Sequence, residues 1–406
     1  MRTGGAMRYI TDVPGFRACG VHAGLKPDGA LDMALIVSDR PCVASAVFTQ
    51  NLVKAAPVLF DMALLQRTRD VRAVVVNSKN ANAVTGEQGL RDAAEMARLT
   101  AEALALPEES GVFVMSTGVI GVPLPMNKIA YGITLAAQML DATPEAAQAA
   151  ARAIMTTDTR PKMASATCTL DEKTITLAGI AKGAGMIHPN MATMLAFIVT
   201  DALITAEALD AALRYAVERS FNAISVDGDT STNDTCLVLA NGAAANDLIT
   251  LEGPAFPAFR DALTEVCIEL AKQIAFDGEG ATKHVTIHVR NAGSFEAARQ
   301  IGRTIATSPL VKTALFGRDA NWGRVLAAAG RAGVPFDPDR ASLWFGPLQV
   351  LANGKPLPFD EDEALRILSE VDITIDLDIG GEPGDATVWT CDFSYDYVSI
   401  NAEYRT

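Results

Sequence analysis

The sequence predicts an α/β (α+β) protein with two lobes, and three observations carry that expectation. At 406 residues the chain is longer than one ordinary core supports. Hydrophobic residues make up 49% and charged residues 20%, a globular rather than a disordered balance. Short β-branched, apolar runs also alternate with alanine-rich stretches of helical period.

Taken in order, strands are expected at Ala34 to Val37, Val43 to Thr49, Val71 to Val76 and Gly111 to Met115. Helical periodicity fills Gln88 to Ala105, Met126 to Leu140 and Pro144 to Met155. Ala164 to Leu170 and Thr174 to Leu177 flank a short polar link and read as a hairpin. A strand at Met194 to Thr200 precedes a helix from Thr205 to Arg219, where Ala208 rules out a capping box. A helix at Ala258 to Ile274, a strand at Val285 to Val289, helices near 308–331, and strands at Asp372 to Leu377 and Thr387 to Phe393 complete the pattern. Asn353 to Pro358 and Gly380 to Gly384 are turn-rich joints, and no internal repeat or low-complexity linker appears.

A net charge of −14, with no run of Lys or Arg, argues against a nucleic-acid partner, since such proteins present basic faces. Six cysteines without a Cys-x-x-Cys pair suggest reduced thiols rather than a zinc site or a disulfide framework. Neither an apolar stretch of secretory length nor the roughly 20 apolar residues of a membrane span is present. A cytoplasmic protein with no membrane partner is expected.

Lys182 to Thr193 carries the chemistry. Two glycines and a proline make the segment irregular, yet an apolar strand follows at once. On composition alone this is a tight loop feeding a core strand. A threonine held there becomes a usable nucleophile only if a base takes its proton. Of the four histidines, His22, His188, His284 and His288, none sits in a Gly-x-Ser-x-Gly elbow. One alternative base is the threonine's own α-amine, freed by cutting the preceding peptide bond. Such an amine has a pKa of about 7.7–8.0 and is partly neutral near physiological pH.

Lys182-Gly183-Ala184-Gly185-Met186-Ile187-His188-Pro189-Asn190-Met191-Ala192-Thr193-Met194-Leu195 closely resembles the autocleavage signature of the ornithine acetyltransferase family, also called bifunctional glutamate N-acetyltransferases. Ser116-Thr117-Gly118-Val119-Ile120-Gly121 is similar to that family's oxyanion segment. Residues 225–234, Asn321-Trp322-Gly323-Arg324 and the tail Ile400-Asn401-Ala402-Glu403-Tyr404-Arg405-Thr406 resemble further family blocks, in the family's order.

The resemblance implies a main lobe over residues 1–282 built as an αββα-type sandwich, and a smaller C-terminal α/β lobe over 283–406. It implies cleavage between Ala192 and Thr193 into an α chain, 1–192, and a β chain, 193–406. Thr193 would then carry an acetyl group from N-acetylornithine to glutamate in ping-pong fashion, in arginine biosynthesis. Thr117 and Gly118 would stabilise the oxyanion. Lys182 would receive the substrate carboxylate and Glu279 an amino group, with Thr156, Asn401 and Thr406 as further substrate contacts. An ordered, site-lining C-terminus is thus expected, against the usual fraying of termini. No cofactor is implied, although acetyl-CoA remains open as a second acetyl donor. A heterotetramer of two α and two β chains is implied.

Taken without the resemblance, Lys182 reads as a surface lysine, Glu279 as an exposed turn carboxylate and Thr156 as a helix terminus. Asp227, Asp229, Asn233 and Asp234 crowd like calcium ligands, but the loop spacing fails at Ser231, so no metal is expected. Gly183-Ala184-Gly185 lacks the third glycine of a dinucleotide fingerprint. Asn77 to Gly86 departs from the family at Lys79, where glycine is usual, and at Val84, where cysteine is common; a positive φ at 79 would strain lysine. The competing activity is a related self-processing aminopeptidase or amidase with water as acceptor, and a non-catalytic binding protein is the third reading.

Overall fold

The apolar runs form two mixed sheets in the computed structural model, which describes residues 8–107, 110–170, 172–188 and 194–403. The chain begins with β1 (Phe16–Val21), β2 (Met33–Phe48), α1 (Ala56–Arg67), β3 (Asp70–Asn77), α2 (Gly86–Ala103), β4 (Gly111–Ser116), α3 (Met126–Gln138) and α4 (Pro144–Ala153). The expected hairpin follows as β5 (Lys162–Leu170) and β6 (Lys173–Lys182), then β7 (Leu195–Thr200), α5 (Ala206–Arg219), β8 (Thr235–Ala240) and α6 (Phe256–Phe276). These strands form one sheet of order β4-β3-β2-β8-β7-β6-β5, with β1 antiparallel to β2 off that path.

Two separately expected strands prove to be the single long β2. Exposed Asp39, Arg40 and Pro41 interrupt its apolar pattern, and its register against β3 shifts between Val37 and Cys42. There the sheet turns over on itself. Ala34, Ile36, Val74 and Val76 share one apolar core with Leu195, Phe197, Val199 and Leu237 from the other half. Side chains alternate across a strand, so the intervening residues face outward. Val75, Val112 and Val114 meet Met96 and Ile129 of α2 and α3, while Ile175, Leu177 and Ile198 meet Leu213, Leu263 and Leu270 of α5 and α6. The layers therefore run helix, sheet, sheet, helix, and the αββα sandwich is present. Burying each large aliphatic side chain contributes about 1.5–3 kcal/mol.

The second sheet starts at β9 (His284–Arg290), followed by α7 (Phe295–Ala306), α8 (Pro309–Phe316) and α9 (Trp322–Gly330). Then come β10 (Ser342–Phe345), β11 (Leu348–Ala352), β12 (Lys355–Pro356), α10 (Glu361–Ser369), β13 (Asp372–Asp378), β14 (Ala386–Cys391) and the terminal α11 (Tyr395–Glu403). Its order is β12-β11-β10-β13-β9-β14, and its core is continuous with α5 and α6. Elements such as β8, whose six residues are all buried, lack the alternation that marks a half-exposed strand. Thr205 caps α5 without a box, its hydroxyl accepting from the Ala208 N–H at 3.2 Å. Among the described residues no helix is long and apolar enough to cross a membrane, and all six cysteines are free.

Candidate active site

The C-terminal end of β4 leads into Thr117 and Gly118. The Ser116 hydroxyl donates to Asn77 Oδ1 at 2.6 Å, and the Thr117 N–H donates to the Asn77 carbonyl at 3.0 Å. Gly118 adopts φ +133°, and a Cβ there would fall on the Lys79 carbonyl. Only glycine fits so close a backbone crossing. Among the described residues no acceptor meets the Gly118 N–H, which leaves a donor beside the Thr117 hydroxyl. Behind it, Lys79 has φ +79° and Val84 φ +56°. The left-handed conformation that lysine tolerates poorly is thus found at position 79.

Lys182 ends β6, a strand paired on both sides, with Leu195 of β7 as its register partner. Its ammonium is 3.5 Å from the Thr117 hydroxyl and 3.9 Å from Asp158. Burial pulls the Lys182 pKa below the usual lysine value, while the Asp158 carboxylate pushes it back up. Asp158, fully buried, is held below the usual carboxylate range: burial works against this, and the Lys182 and Lys162 ammoniums outweigh it. Thr156 lies in the loop after α4, its N–H donating to Asp158 at 2.9 Å.

Glu279 sits in the turn after α6, its N–H donating to the Ala184 carbonyl at 2.9 Å. Gly185 makes room for it, since a Cβ at 185 would collide with the Glu279 carboxyl. The tail closes the same corner. Asn401 of α11 donates to Glu279 at 2.8 Å, and Ser394 donates to the Gly280 carbonyl at 2.5 Å.

The 225–234 loop forms another wall. Asp227 accepts the N–H groups of Met186 and Ile187 at 2.6 and 2.8 Å, and burial raises its pKa. His188 lies between the Ser225 hydroxyl at 3.2 Å and the Arg303 guanidinium at 2.8 Å. Burial, then the Arg303 charge, lowers its pKa to about 4, so the ring is neutral at physiological pH. Asp227 also accepts the Asp229 N–H at 3.2 Å, which ties the loop together from within.

Thr117, Gly118, Thr156, Lys182, Glu279 and Asn401 all line one cavity of about 160 Å³, together with Met194. Ala192, Thr193 and Thr406 lie outside the described residues. Lys182 and Glu279 are 8% exposed, so the readings of these two as a surface lysine and an exposed turn carboxylate fail, whereas Thr156 does lie just past the end of α4. Asp158, Lys162, Asp277 and Tyr397 were missed. Asp158 stands two residues after Thr156 and Asp277 two before Glu279, but nothing local marks a carboxylate as buried.

The ArgJ family matches residues 17–406. The arginine biosynthesis bifunctional protein ArgJ of Symbiobacterium thermophilum is 54% identical over 98% of this chain and 98% of its own. A crystal structure of the Bacillus halodurans ArgJ protein is 42% identical, with a TM-score of 0.50, covering 51% of this chain and 98% of that one. A structure of the Mycobacterium tuberculosis ornithine acetyltransferase, complexed with ornithine, is 39% identical over 46% of this chain and 96% of that one, with a TM-score of 0.40. The family match and the Symbiobacterium thermophilum relative, together with a cavity that offers a hydroxyl beside a buried ammonium, make the protein an acyltransferase. The chain belongs to the ArgJ family, whose relatives carry names from arginine biosynthesis.

Proposed function

We propose that the protein is a glutamate N-acetyltransferase that moves an acetyl group from N2-acetylornithine to glutamate through Thr193. The observation that carries this reading is convergence: five segments, remote in sequence, deliver Thr117, Gly118, Thr156, Lys182, Glu279 and Asn401 to one cavity that Met194, next to Thr193, also lines. Its volume of about 160 Å³ suits an amino acid rather than a polymer.

Maturation comes first. The Thr193 hydroxyl oxygen attacks the Ala192 carbonyl carbon, the amide C–N bond breaks, and the nitrogen takes the hydroxyl proton. Water then hydrolyses the ester, leaving an Ala192 carboxylate and a Thr193 with free amine and hydroxyl. The half-length match to the crystallised Bacillus halodurans chain supports a chain cut near its middle. In the first half-reaction the hydroxyl attacks the acetamide carbonyl of N-acetylornithine, its proton passing through the α-amine to the leaving ornithine nitrogen. In the second, the neutral amine of glutamate attacks the acetyl ester, and Thr193 leaves as a hydroxyl.

The Thr117 hydroxyl and Gly118 N–H serve the tetrahedral oxyanion of each half, where losing one donor costs about 2.7–4 kcal/mol. Lys182 takes the α-carboxylate, and Glu279 faces the amino group. Thr156, Asn401 and Thr406 complete the substrate contacts, without a cofactor. Acetyl-CoA with glutamate is a second reaction, supported by the word bifunctional in the relatives' names. The working assembly is a heterotetramer of two α and two β chains in the cytoplasm.

Intact mass of purified wild type should give two fragments, and Thr193→Ala one. Two fragments from both would sink self-cleavage. Release of ornithine should require glutamate; equal release without it would mark a hydrolase. N-Acetylglutamate formed from acetyl-CoA and glutamate tests the second reaction.

A further inference from the structure

Behind the cavity wall lies a buried charge network centred on Asp158. Asp158 is not among the cavity-lining residues, and its side chain is completely buried. One carboxylate oxygen accepts the Lys162 ammonium at 2.7 Å and the Gly183 N–H at 2.6 Å. The other accepts the Thr156 N–H at 2.9 Å and stands 3.9 Å from the Lys182 ammonium. One side chain therefore gathers the loop after α4, the start of β5 and the exit of β6.

The network continues to the opposite wall. Lys162, itself fully buried, pairs with Asp277 at 2.6 Å, two residues before Glu279. Asp277 in turn accepts the Thr159 N–H at 3.0 Å. Two carboxylates and two ammoniums balance, so the interior holds no net charge here. For stability alone such a network is a poor choice, because well-packed apolar residues often serve as well or better. What it supplies is fixed direction.

We propose that Asp158 is a positioning residue of the acyl-transfer site, aiming Lys182 and Thr156 at the substrate carboxylate. This rests on reading Lys182 as the carboxylate's cation. The charged groups facing Lys182 are Asp158, Asp234 and Glu279, which favour its protonated form, and Lys162 and Lys26, which oppose it. Asp158 is the foremost of the three favourable groups. Without its charge, Lys182 would be held by weaker partners and would lose its proton at lower pH.

The test is steady-state kinetics of the processed enzyme with glutamate as variable acceptor, from neutral to alkaline pH. Asp158→Asn keeps the shape and removes the charge. It should raise KM about tenfold, the loss of a charge-assisted contact, with kcat little changed. Its alkaline limb of kcat/KM should move to lower pH, and Asp158→Glu should restore that limb. In a Lys182→Met background Asp158→Asn should raise KM much less, leaving only the share carried by Thr156. An unmoved limb with only a lower Tm, or an equal KM effect with and without Lys182, overturns the proposal. Should Asp158→Asn not fold, Asp158→Glu displaces the carboxylate by one methylene and should still raise KM; an unchanged KM overturns it too. Lys182→Met with an intact KM sinks the carboxylate reading itself, whereas a defective Lys182→Met beside a silent Asp158→Asn sinks this proposal alone.

Discussion

The two poles of the cavity are built in different ways. Lys182 stands on a strand paired on both sides and backed by three further buried charges. Glu279 stands in a turn, and its cover is α11, a terminal helix none of whose residues is buried. That helix docks through Asn401, Ser394 and the stacking of Phe393 on Tyr397 at 4.7 Å. In the proposed cycle the α-carboxylate never changes, while the nitrogen alternates between amide and free amine. A rigid wall meets the constant group, and an adjustable one meets the group that reacts. The contrast follows from burial: charges removed from water are tightly specified, and surface hydrogen bonds are not.

The largest effect is expected on the rigid side. Thr117→Val removes the proposed oxyanion donor and should lower kcat about 10²- to 10³-fold with KM nearly unchanged, read in steady-state assays. Lys182→Met should lower kcat/KM about 10- to 100-fold for donor and acceptor alike, since both share the carboxylate. Burial sets the Lys182 pKa below the usual lysine value. Its protonated, binding form is therefore present below that lowered value and lost as pH rises through it, so the alkaline limb of wild type should vanish in Lys182→Met.

On the adjustable side the cost should be smaller. Asn401→Ala removes one hydrogen bond of about 1 kcal/mol and should raise KM roughly fivefold. Hydrogen exchange of residues 395–403 should quicken while β6 stays protected. If Asn401→Ala matched Lys182→Met, the contrast between the walls would break. The smallest effect sharpens the account of the strand wall. Lys79→Gly relieves a left-handed lysine and should gain about 0.5–1 kcal/mol in denaturant unfolding, after the extra chain entropy of glycine is offset. Destabilisation instead would show that Lys79 compensates its own strain.

Much of the fold was legible because its signals are local. The hairpin of β5 and β6, helices α3 to α6 and strands β7, β9 and β13 follow from period and turn chemistry. Ser38 to Pro41 hid the continuity of β2, because a polar interruption looks like a strand end unless its neighbours are known. Within the site, Thr117, Gly118 and Lys182 were legible through the motifs that hold them. Asp158 was not, since nothing in Thr156-Thr157-Asp158-Thr159 distinguishes it from an exposed acid.

By itself the sequence determined the chemical inventory: a threonine after a Gly-rich segment, a Thr-Gly corner after a strand, and short apolar runs alternating with helical stretches. These are properties of neighbouring residues, and the chain carries them whether folded or not. Tertiary structure alone decided which charges leave water together. Lys162 and Asp277 are 115 residues apart and Asn401 and Glu279 are 122 apart. The cost of burying an ion depends on what stands beside it in space, and that partner is chosen only when elements remote in sequence pack together.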